Sequence, residues 1–272
     1  MIKAGVIGHP IKQSKSPMIH GHWLGEHGID GSYEAIDLAP DAFVQSVRDL
    51  QADGYAGCNI TVPHKEAAFA LCDDLTERAK IIGAVNTLVF RDDRIQGDNT
   101  DCEGFLANLM ADAPHWNAAT GPALVLGAGG AARGIVFALL DSGVPEIILA
   151  NRTRGRAEAL AADFAQVHVC DWADAEHAVG SVDLIVNTTA LGMVGQPELI
   201  LPLDALRPST VVTDIVYNPL ETELLKTARA KGSIGVDGLG MLLHQAVPGF
   251  EAWFGTRPIV TDALRKKIEA AL

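Results

Sequence analysis

The sequence predicts an α/β protein of two domains, in which an N-terminal α/β domain precedes a doubly wound parallel sheet of the Rossmann type. The 272 residues suffice for two domains, and a hydrophobic content of 48% is ample for two buried cores. Short apolar runs alternate with helical patterns along the chain. A glycine-rich sequence, GAGGAA at residues 127–132, begins near the middle of the chain. We therefore expect the residues before it to bind a substrate and those after it to bind a nucleotide.

The N-terminal domain is predicted to begin as β-α-β and to continue this alternation. Its apolar patterns predict strands over residues 4–7, 33–38 and 57–62 and helices over residues 17–27 and 41–52. Pro63 suits the first turn of the next helix, because the missing N–H of proline is not needed there. Residues 82–90 and 94–97 resemble a hairpin around residues 92–93. The helix that follows should reach about Met110, and three side chains could cap its start, namely Asn99, Thr100 and Asp101.

The linker between the domains is predicted either within residues 113–122, which are rich in small residues and proline, or in the preceding helix. The second domain follows with apolar runs that alternate with helical patterns, as in a doubly wound parallel sheet. These runs predict strands over residues 123–126, 146–150, 167–170, 184–187 and 211–215. Helical patterns at residues 239–253 and 261–271 could pack on either domain.

Charge and hydropathy limit the partners of the protein. A formal net charge of −13 disfavours binding to nucleic acid or to an anionic membrane. No apolar run approaches the roughly 20 residues that cross a bilayer, and the short apolar run at the N-terminus is too brief for a signal peptide. We expect a cytoplasmic protein whose partner is a small-molecule substrate, present as a monomer or a homodimer.

Cysteine and histidine spacing indicates no metal site. The four cysteines lie far apart without a CxxC pair, which is typical of reduced cytosolic thiols. His20, His22 and His27 lack a convincing ligand pattern, so we interpret them as structural or surface residues.

The glycine-rich sequence predicts a dinucleotide loop. Gly127 permits the tight turn, Gly129 lets the backbone approach a pyrophosphate, and Ala132 is small enough for the helix to pack on the strand. Backbone N–H groups at the helix start then face the phosphates. The predicted cofactor-binding residues here are Gly127, Ala128, Gly129, Gly130 and Ala131.

The end of the second nucleotide-domain strand predicts NADP rather than NAD. An NAD site places Asp or Glu there for the ribose 2′-hydroxyl. This chain instead has ANRTRGRA at residues 150–157, which supplies hydrogen-bond donors and positive charge. The arginine fork suits phosphate oxygens, although Arg154 is equally consistent with a solvated helix start. The predicted contacts to the 2′-phosphate side are Asn151, Arg152, Thr153 and Arg156.

Four polar segments of the first domain lie at predicted strand ends or helix starts, positions that converge on a cleft in open α/β sheets. They are Ser14–Pro17, Asn59–Lys65, Asn86–Thr87 and Asp98–Asp101. Their chemistry suits a polyhydroxylated acid, with the hydroxyls of Ser14 and Ser16 for a carboxylate and the other polar groups for ring hydroxyls.

The motifs of this chain, taken together and in order, resemble the shikimate dehydrogenase family nearly from end to end. They are SKSP at residues 14–17, NITVPHKE at 59–66, AVNT at 84–87, GDNTD at 97–101, VLGAGGAAR at 125–133, NRT at 151–153 with a following arginine, and DGLGMLLHQA at 237–246. The resemblance implies that the C-terminal helices return to the first domain. It places the substrate-binding domain at residues 1–102 and 238–272 and the NADP-binding domain at residues 103–237.

The resemblance also implies an activity, the reversible NADP-dependent reduction of 3-dehydroshikimate to shikimate in aromatic amino acid (chorismate) biosynthesis. By motif, Lys65 and Asp101 resemble the catalytic pair, and Gly238 a cofactor contact. The implied substrate contacts are Ser14, Ser16, Thr61, Asn86, Gln245 and, near the carboxylate, Tyr217. One departure is Ala190 in NTTALGM, where the family often has serine.

In such a reaction the oxygen of a reduced ketone gains negative charge, and a positioned acid must neutralise it. Lys65 is the natural proton donor, with Asp101 orienting the substrate hydroxyl and tuning the lysine. Two alternatives remain open at this point. One is a quinate/shikimate dehydrogenase that uses NAD or both cofactors, and the other is a catalytically silent NADP-binding regulator, against which the presence of both Lys65 and Asp101 argues.

Overall fold

A computed structural model describes residues 1–272, and its contacts divide the chain into two units. The first unit comprises Met1–Asp101 and Leu243–Ala271, and the second comprises Cys102–Leu242 together with Leu272. The division falls at the start of helix α5 (Asp101–Asp112), which is one of the two places where the sequence predicted it. The assignment of substrate binding to the first unit and of NADP binding to the second stays a prediction.

The first unit is a six-stranded sheet covered by helices. Its strands are β1 (Ile2–Gly8), β2 (Gly31–Asp37), β3 (Tyr55–Ile60), β4 (Asp74–Leu75), β5 (Thr87–Arg91) and β6 (Arg94–Asp98). Its helices are α1 (Ser16–Glu26), α2 (Phe43–Ala52), α3 (Lys65–Leu71), α4 (Glu77–Ile82), α11 (Ala246–Phe254) and α12 (Asp262–Glu269). The strand order is β2-β1-β3-β5-β6-β4, with β1 parallel to β2 and β3 and with β5 antiparallel to β3 and β6.

The pleat of β3 separates the core from the polar network of the first unit. Cys58 and Ile60 lie in one buried cluster with Phe43 of α2. Asn59 lies between them in sequence and therefore faces the opposite side of the sheet. There its side-chain oxygen accepts a hydrogen bond from the Tyr33 hydroxyl at 2.7 Å. One strand thus contributes to the apolar core on one face and to a buried polar group on the other.

The predicted hairpin is present, but its first arm begins later than predicted. Strands β5 and β6 pair around Asp92 and Asp93, whose φ angles of 50° and 60° fit a two-residue hairpin turn. Residues 82–86 are not strand, because α4 occupies residues 77–82 and ends at Gly83 in the left-handed region. The sequence pattern did not predict this short helix and placed its last residue, Ile82, in the strand.

The prediction that Pro63 lies in the first turn of a helix is wrong. The N–H of His64 donates to the carbonyl of Thr61 at 3.0 Å, so a tight turn comes first. Helix α3 begins only at Lys65. The turn places Lys65 at the very start of the helix.

The C-terminal helical pattern at residues 239–253 forms two helices rather than one. Helix α10 (Leu239–His244) ends before Gln245, and α11 begins at Ala246. The physical reason is Pro248, which has no N–H to donate to the carbonyl of His244 and therefore cannot continue the first helix. A proline within the first turn of the second helix is tolerated.

Helices α11 and α12 pack on the first unit, as the family resemblance implied. Helix α11 contacts β3 and β5, and α12 contacts α1. The indole N–H of Trp253 donates to the carbonyl of Leu88 at 2.9 Å. Gly57 lies beneath this ring with φ +156°, and a Cβ there would lie 2.1 Å from the Leu88 oxygen and 2.2 Å from the indole nitrogen. Only glycine fits between the sheet and the Trp253 indole.

The second unit is a six-stranded, fully parallel sheet. Its strands are β7 (Ala123–Leu126), β8 (Ile147–Ala150), β9 (Val167–Cys170), β10 (Leu184–Asn187), β11 (Val211–Asp214) and β12 (Ile234–Val236). Besides α5, its helices include α6 (Gly130–Asp141), α7 (Arg154–Ala161), α8 (Ala175–Ala178) and α9 (Glu223–Ala230). The order β12-β11-β10-β7-β8-β9 reverses direction between β7 and β10. Ligands of doubly wound sheets bind at the carboxyl ends of the strands beside such a reversal.

We predict that Gly57→Ala destabilises the protein far more than Gly54→Ala. Both glycines have positive φ, +156° and +77°, but a Cβ at Gly54 meets nothing within 4 Å. Gly54→Ala should therefore cost only the ~1 to 2 kcal/mol of backbone strain. Gly57→Ala adds overpacking, worth a further ~1 to 3 kcal/mol. The measurement is the free energy of unfolding in urea, and equal losses for the two variants would contradict the packing described for Trp253.

Candidate active site

The first unit contains a partly buried ion pair between Lys65 and Asp101. Lys65 is the first residue of α3 and Asp101 the first of α5. The ammonium of Lys65 donates directly to Asp101 Oδ2, and the two side chains are only 20% and 10% exposed. A charge in such a place needs a partner, because desolvation penalises an isolated ion. The two residues that the family motifs assigned to catalysis are therefore in direct contact.

Asn86 joins this pair through the second oxygen of the carboxylate. Its side-chain N–H₂ donates to Asp101 Oδ1 at 2.8 Å, and the Asn86 side chain is buried. The backbone reinforces the arrangement, since the N–H of Val85 donates to the carbonyl of Lys65 at 3.0 Å. Both carboxylate oxygens of Asp101 are thus held, one by an ammonium and one by an amide.

Ser14 and Ser16 form a separate polar pair. The backbone N–H of Ser16 donates to the Ser14 hydroxyl oxygen at 3.3 Å, and Ser16 is buried whereas Ser14 is half-buried. Between them, the Lys15 ammonium donates to the carbonyl of Ala271 at 2.5 Å. The C-terminal segment therefore anchors the serine loop.

The two remaining predicted substrate contacts of the first unit are held through their backbones. Thr61 is half-buried just beyond β3, and its N–H donates to the carbonyl of Ile7 at 2.9 Å. Gln245 lies between α10 and α11, and its carbonyl accepts a hydrogen bond from the Thr100 hydroxyl at 2.9 Å. The side chain of Thr61 makes no hydrogen bond to the Lys65–Asp101 pair.

The glycine-rich loop of the second unit contains a tight turn at Gly127. Gly127 follows β7 with φ +109°, and a Cβ there would lie 2.5 Å from the Thr188 hydroxyl. Beyond it, Ala128 is half-buried, whereas a Cβ at Gly129 or Gly130 would meet nothing within 4 Å. The first helical bond of α6 runs from the N–H of Arg133 to the carbonyl of Gly129. The N–H groups of residues 130–132, including that of Ala131, therefore have no acceptor within the helix, an arrangement that suits an anion.

The basic segment after β8 separates into engaged and unengaged arginines. Arg154 pairs with Glu158 at 2.8 Å and with Asp171 at 2.7 Å. Arg152 and Arg156 are exposed and form no ion pair. The polar neighbours contribute a local turn, in which the Asn151 amide donates to the carbonyl of Thr153 at 2.8 Å. Two guanidinium groups are therefore available to an anionic ligand, while the third is held by carboxylates.

The loop that carries Tyr217 is organised by a buried carboxylate. Asp214, the last residue of β11, accepts hydrogen bonds from Asn187 at 2.8 Å, from the backbone N–H of Val216 at 3.0 Å and from the Thr222 hydroxyl at 2.8 Å. Burial raises the pKa of Asp214 to about 6, against the opposing effect of these hydrogen bonds. Burial also raises the pKa of the half-buried Tyr217 phenol.

Gly238 packs against the same loop. Its N–H donates to the carbonyl of Val216 at 3.2 Å, and a Cβ at Gly238 would lie 2.2 Å from the Ile215 oxygen. This close backbone approach alone requires glycine at position 238. The structure therefore gives a packing reason for Gly238, and its contact with a cofactor stays a prediction.

Comparison with known proteins decides the family. Three family models match the chain: the shikimate dehydrogenase substrate binding domain over residues 6–88, shikimate / quinate 5-dehydrogenase over residues 110–207, and the shikimate 5′-dehydrogenase C-terminal domain over residues 238–269. A curated relative from Rhodospirillum rubrum, named shikimate dehydrogenase (NADP(+)), is 56% identical over 271 residues, with 97% of this chain and 96% of that protein covered. The chain belongs to the shikimate dehydrogenase family. This result confirms the predicted family and its oxidoreductase class.

Solved structures of the shikimate dehydrogenase family confirm the predicted fold class. Shikimate 5-dehydrogenase from Thermus thermophilus, in complex with NADP(H) and shikimate, is 37% identical with a TM-score of 0.90, and both chains are covered completely. Quinate dehydrogenase from Corynebacterium glutamicum, in complex with NAD, is 32% identical with a TM-score of 0.92, and 99% of each chain is covered. The neighbours therefore include enzymes named for both substrates.

Several polar residues were named from the sequence only as members of polar segments or as a possible helix cap. Thr87, Thr100 and Asn59 are buried and hydrogen-bonded around Asn86, and each lies inside a motif that the sequence did reveal. Asp214 was missed, although a single carboxylate that ends the apolar run VVTD is a signal that could have found it.

No helix of the structure is both long and apolar enough to span a membrane. No group of three or more His, Cys, Asp or Glu side chains could hold a metal ion.

We predict a pH-dependent contribution of Asp214 to stability. Its folded-state pKa of about 6 exceeds the usual value of 3.8, so the protonated carboxyl is favoured by folding. This stabilisation is present below pH 4 and is lost as the pH rises through about 6. Asp214→Asn does not titrate. The difference in free energy of unfolding between wild type and Asp214→Asn should therefore fall by roughly 2 to 3 kcal/mol from pH 4 to pH 7. A difference that stays constant with pH would contradict this prediction.

Proposed function

We propose that this protein catalyses the reversible NADPH-dependent reduction of 3-dehydroshikimate to shikimate, with Lys65 and Asp101 as the catalytic pair. The observation that carries the proposal is the partly buried contact between the Lys65 ammonium and the Asp101 carboxylate, with the Asn86 amide on the other carboxylate oxygen. NADP is the cofactor: the curated relatives are named for NADP(+), and the Thermus thermophilus structure is a complex with NADP(H).

The second unit offers a fitting site for NADP. The open backbone at Gly129 and Gly130 and the unpaired N–H groups at the start of α6 suit a pyrophosphate. Arg152 and Arg156, which have no carboxylate partner, suit a 2′-phosphate. When bound, the nicotinamide supplies or accepts the hydride. The protein must supply the proton and hold the substrate.

Lys65 is the proton donor in the reduction. As the carbonyl carbon is reduced, its oxygen gains negative charge, which a neighbouring ammonium stabilises and then neutralises by giving up a proton. In the oxidation of shikimate, the neutral amine accepts the hydroxyl proton. Asp101 holds the Lys65 side chain in place through Oδ2 and orients the substrate hydroxyl. Asn86 keeps the carboxylate from rotating.

The remaining predicted residues hold the substrate. The hydroxyls of Ser14 and Ser16 bind the carboxylate, because hydroxyl donors suit an anionic oxygen. Tyr217 is a further proposed substrate contact. Thr61, Asn86 and Gln245 bind ring hydroxyls. We further propose that the reaction serves chorismate biosynthesis in the cytoplasm and that the protein acts as a monomer or a homodimer.

Quinate turnover is the second candidate activity, favoured by the similarity to the Corynebacterium glutamicum quinate dehydrogenase. Quinate lacks the ring double bond and carries an extra hydroxyl beside its carboxylate. A site built for shikimate would leave that hydroxyl unpaired, and an unpaired buried polar group costs ~1 to 3 kcal/mol. We therefore propose that shikimate is the preferred substrate.

The deciding experiment is an assay of the purified full chain with shikimate or quinate, each with NADP⁺ or NAD⁺. We expect kcat/KM with NADP⁺ to favour shikimate by at least ~10-fold, the lower end of the penalty for the unpaired hydroxyl. Comparable efficiency on quinate would contradict the substrate assignment. No turnover under any condition, with cofactor binding retained, would favour the catalytically silent regulator.

For the catalytic pair, we predict that Lys65→Ala lowers kcat for shikimate oxidation by at least ~100-fold, as expected for a lost general acid or base. The binding constant for NADP⁺ should change little, because the proposed cofactor contacts lie on other residues. The matched control is Lys80→Ala, which removes an exposed lysine that pairs with Glu77 and should leave kcat unchanged. Near-normal turnover by Lys65→Ala would remove lysine from the mechanism.

For the cofactor, we predict that Arg152→Ala weakens NADP⁺ binding by roughly 10- to 150-fold, the equivalent of a charge-assisted hydrogen bond of ~1.5 to 3 kcal/mol. NAD⁺ has no 2′-phosphate, so its binding should change by less than ~2-fold. Arg154→Ala is the matched control, because Arg154 is already held by Glu158 and Asp171, and it should affect both cofactors little. An equal loss for NADP⁺ and NAD⁺ would contradict the assigned role of Arg152.

A further inference from the structure

The side-chain oxygen of Asn86 is surrounded by three donor groups. The backbone N–H of Thr100 lies at 2.8 Å, the Thr87 hydroxyl at 2.9 Å and the Thr100 hydroxyl at 3.1 Å. A backbone N–H can only donate, so the atom that faces Thr100 must be the oxygen of the Asn86 amide. The N–H₂ group consequently faces Asp101. The orientation of the Asn86 amide therefore determines how the catalytic carboxylate is held.

The Thr87 and Thr100 hydroxyls each have one hydrogen to donate, and they differ in which acceptor lies nearest. The Thr100 hydroxyl has a nearer acceptor in the carbonyl of Gln245, at 2.9 Å. The Thr87 hydroxyl oxygen accepts a hydrogen bond from the Asn59 amide at 3.2 Å. The hydrogen of the Thr87 hydroxyl has two acceptors in range, the Asn86 side-chain oxygen at 2.9 Å and the Thr100 hydroxyl oxygen at 3.2 Å, and Asn86 is the nearer. When the Thr100 hydroxyl donates to Gln245, Thr87 is the residue whose side chain donates a hydrogen bond to the Asn86 oxygen.

Burial makes this donor hard to replace. Asn86 and Thr87 are each 2% exposed, and Thr100 is 0% exposed. Water has no access to take over a lost hydrogen bond, so removal of the hydroxyl leaves polar groups unpaired. Strand pairing fixes the position of Thr87 as well, since it lies opposite Asn59 of β3 and Asp98 of β6.

We propose that Thr87 is a positioning residue for the catalytic pair. Its hydroxyl locks the Asn86 amide, the amide holds Asp101 Oδ1, and Asp101 Oδ2 is thereby presented to the Lys65 ammonium. Thr87 acts through Asn86 and takes no part in proton transfer itself. This inference rests on the proposed function, because it assumes that the Lys65–Asp101 pair carries the reaction.

The test is Thr87→Val, which keeps the shape of the side chain and removes the hydroxyl. We expect kcat for shikimate oxidation with NADP⁺ to fall about 10-fold, the effect of one buried hydrogen bond on the transition state. KM for shikimate and the NADP⁺ dissociation constant should each change by less than about 3-fold. Thr87→Ser, which restores the hydroxyl, should return kcat to within about 2-fold of wild type. If the valine variant does not fold, Thr87→Cys gives the same test and should lower kcat with its weaker donor.

The matched control is Thr210→Val. Thr210 is also 0% exposed, and its hydroxyl donates to the carbonyl of Val182 at 2.9 Å in the second unit. This variant tests whether loss of any buried threonine hydroxyl slows turnover, and it should leave kcat unchanged. An equal fall in kcat for Thr210→Val and Thr87→Val would overturn the inference.

Measuring Thr87→Val in an Asp101→Asn background distinguishes a failure of the Thr87 role from a failure of the proposed function. In an Asp101→Asn background, Thr87→Val should lower kcat by less than about 2-fold further, because the group that it positions is already altered. A full 10-fold loss in that background, or normal turnover by Thr87→Val in the wild-type background, would overturn the role of Thr87 alone. Normal turnover by Asp101→Asn itself would instead overturn the catalytic pair.

Discussion

The partly buried contact between Lys65 and Asp101 is the constraint on which the candidate active site of this shikimate dehydrogenase family member depends. Two opposite charges in a largely enclosed place are tolerated only when each is the partner of the other and the remaining polar atoms are satisfied. The Asn86 amide satisfies the second carboxylate oxygen. The pair also requires that the starts of α3 and α5 meet, so the turn before Lys65 and the β5–β6 hairpin are both necessary for it.

The polar network behind this pair explains why the sheet of the first unit has two different faces. On β3, Cys58 and Ile60 lie in the apolar cluster. Asn59 points to the other face, where its side-chain oxygen accepts a hydrogen bond from the Tyr33 hydroxyl. Because residues of a strand alternate in direction, a single polar residue within an apolar strand suffices to begin such a network. Helix α11 contacts β3 and β5, and the indole N–H of its Trp253 donates to the carbonyl of Leu88.

Much of the fold follows from local patterns. The parallel strands of the second unit are short continuous apolar runs, and the turn at Gly127 occurs where the glycine spacing predicted it. The errors have local physical causes. Helix α4 was not predicted, because six residues are too few for a clear helical period, and its last residue was placed in the following strand. The break at Gln245 was missed because Pro248 acts on a carbonyl four residues earlier.

The candidate site divides in the same way. The sequence motifs contain Lys65, Asp101 and Asn86. The contacts among these residues join positions that are 15 and 36 residues apart along the chain. Helix and strand periodicity predicts only local contacts, so it could not predict these. The basic segment shows this limit clearly. The sequence set Arg154 apart only as a residue at a helix start, whereas the structure shows that Arg154 pairs with two carboxylates and that Arg152 has no ion pair. Which of several similar residues remains available to a ligand therefore depends on tertiary contacts, which the sequence does not show.

The central claim is that Lys65 and Asp101 act as one unit, and a double-mutant cycle on kcat for shikimate oxidation tests it most directly. The four proteins are wild type, Lys65→Ala, Asp101→Asn and the variant that carries both changes. If the two residues form a single catalytic device, the double variant should be no more than about 3-fold slower than the slower single variant. Losses that multiply would show that the two side chains contribute independently and would contradict the account.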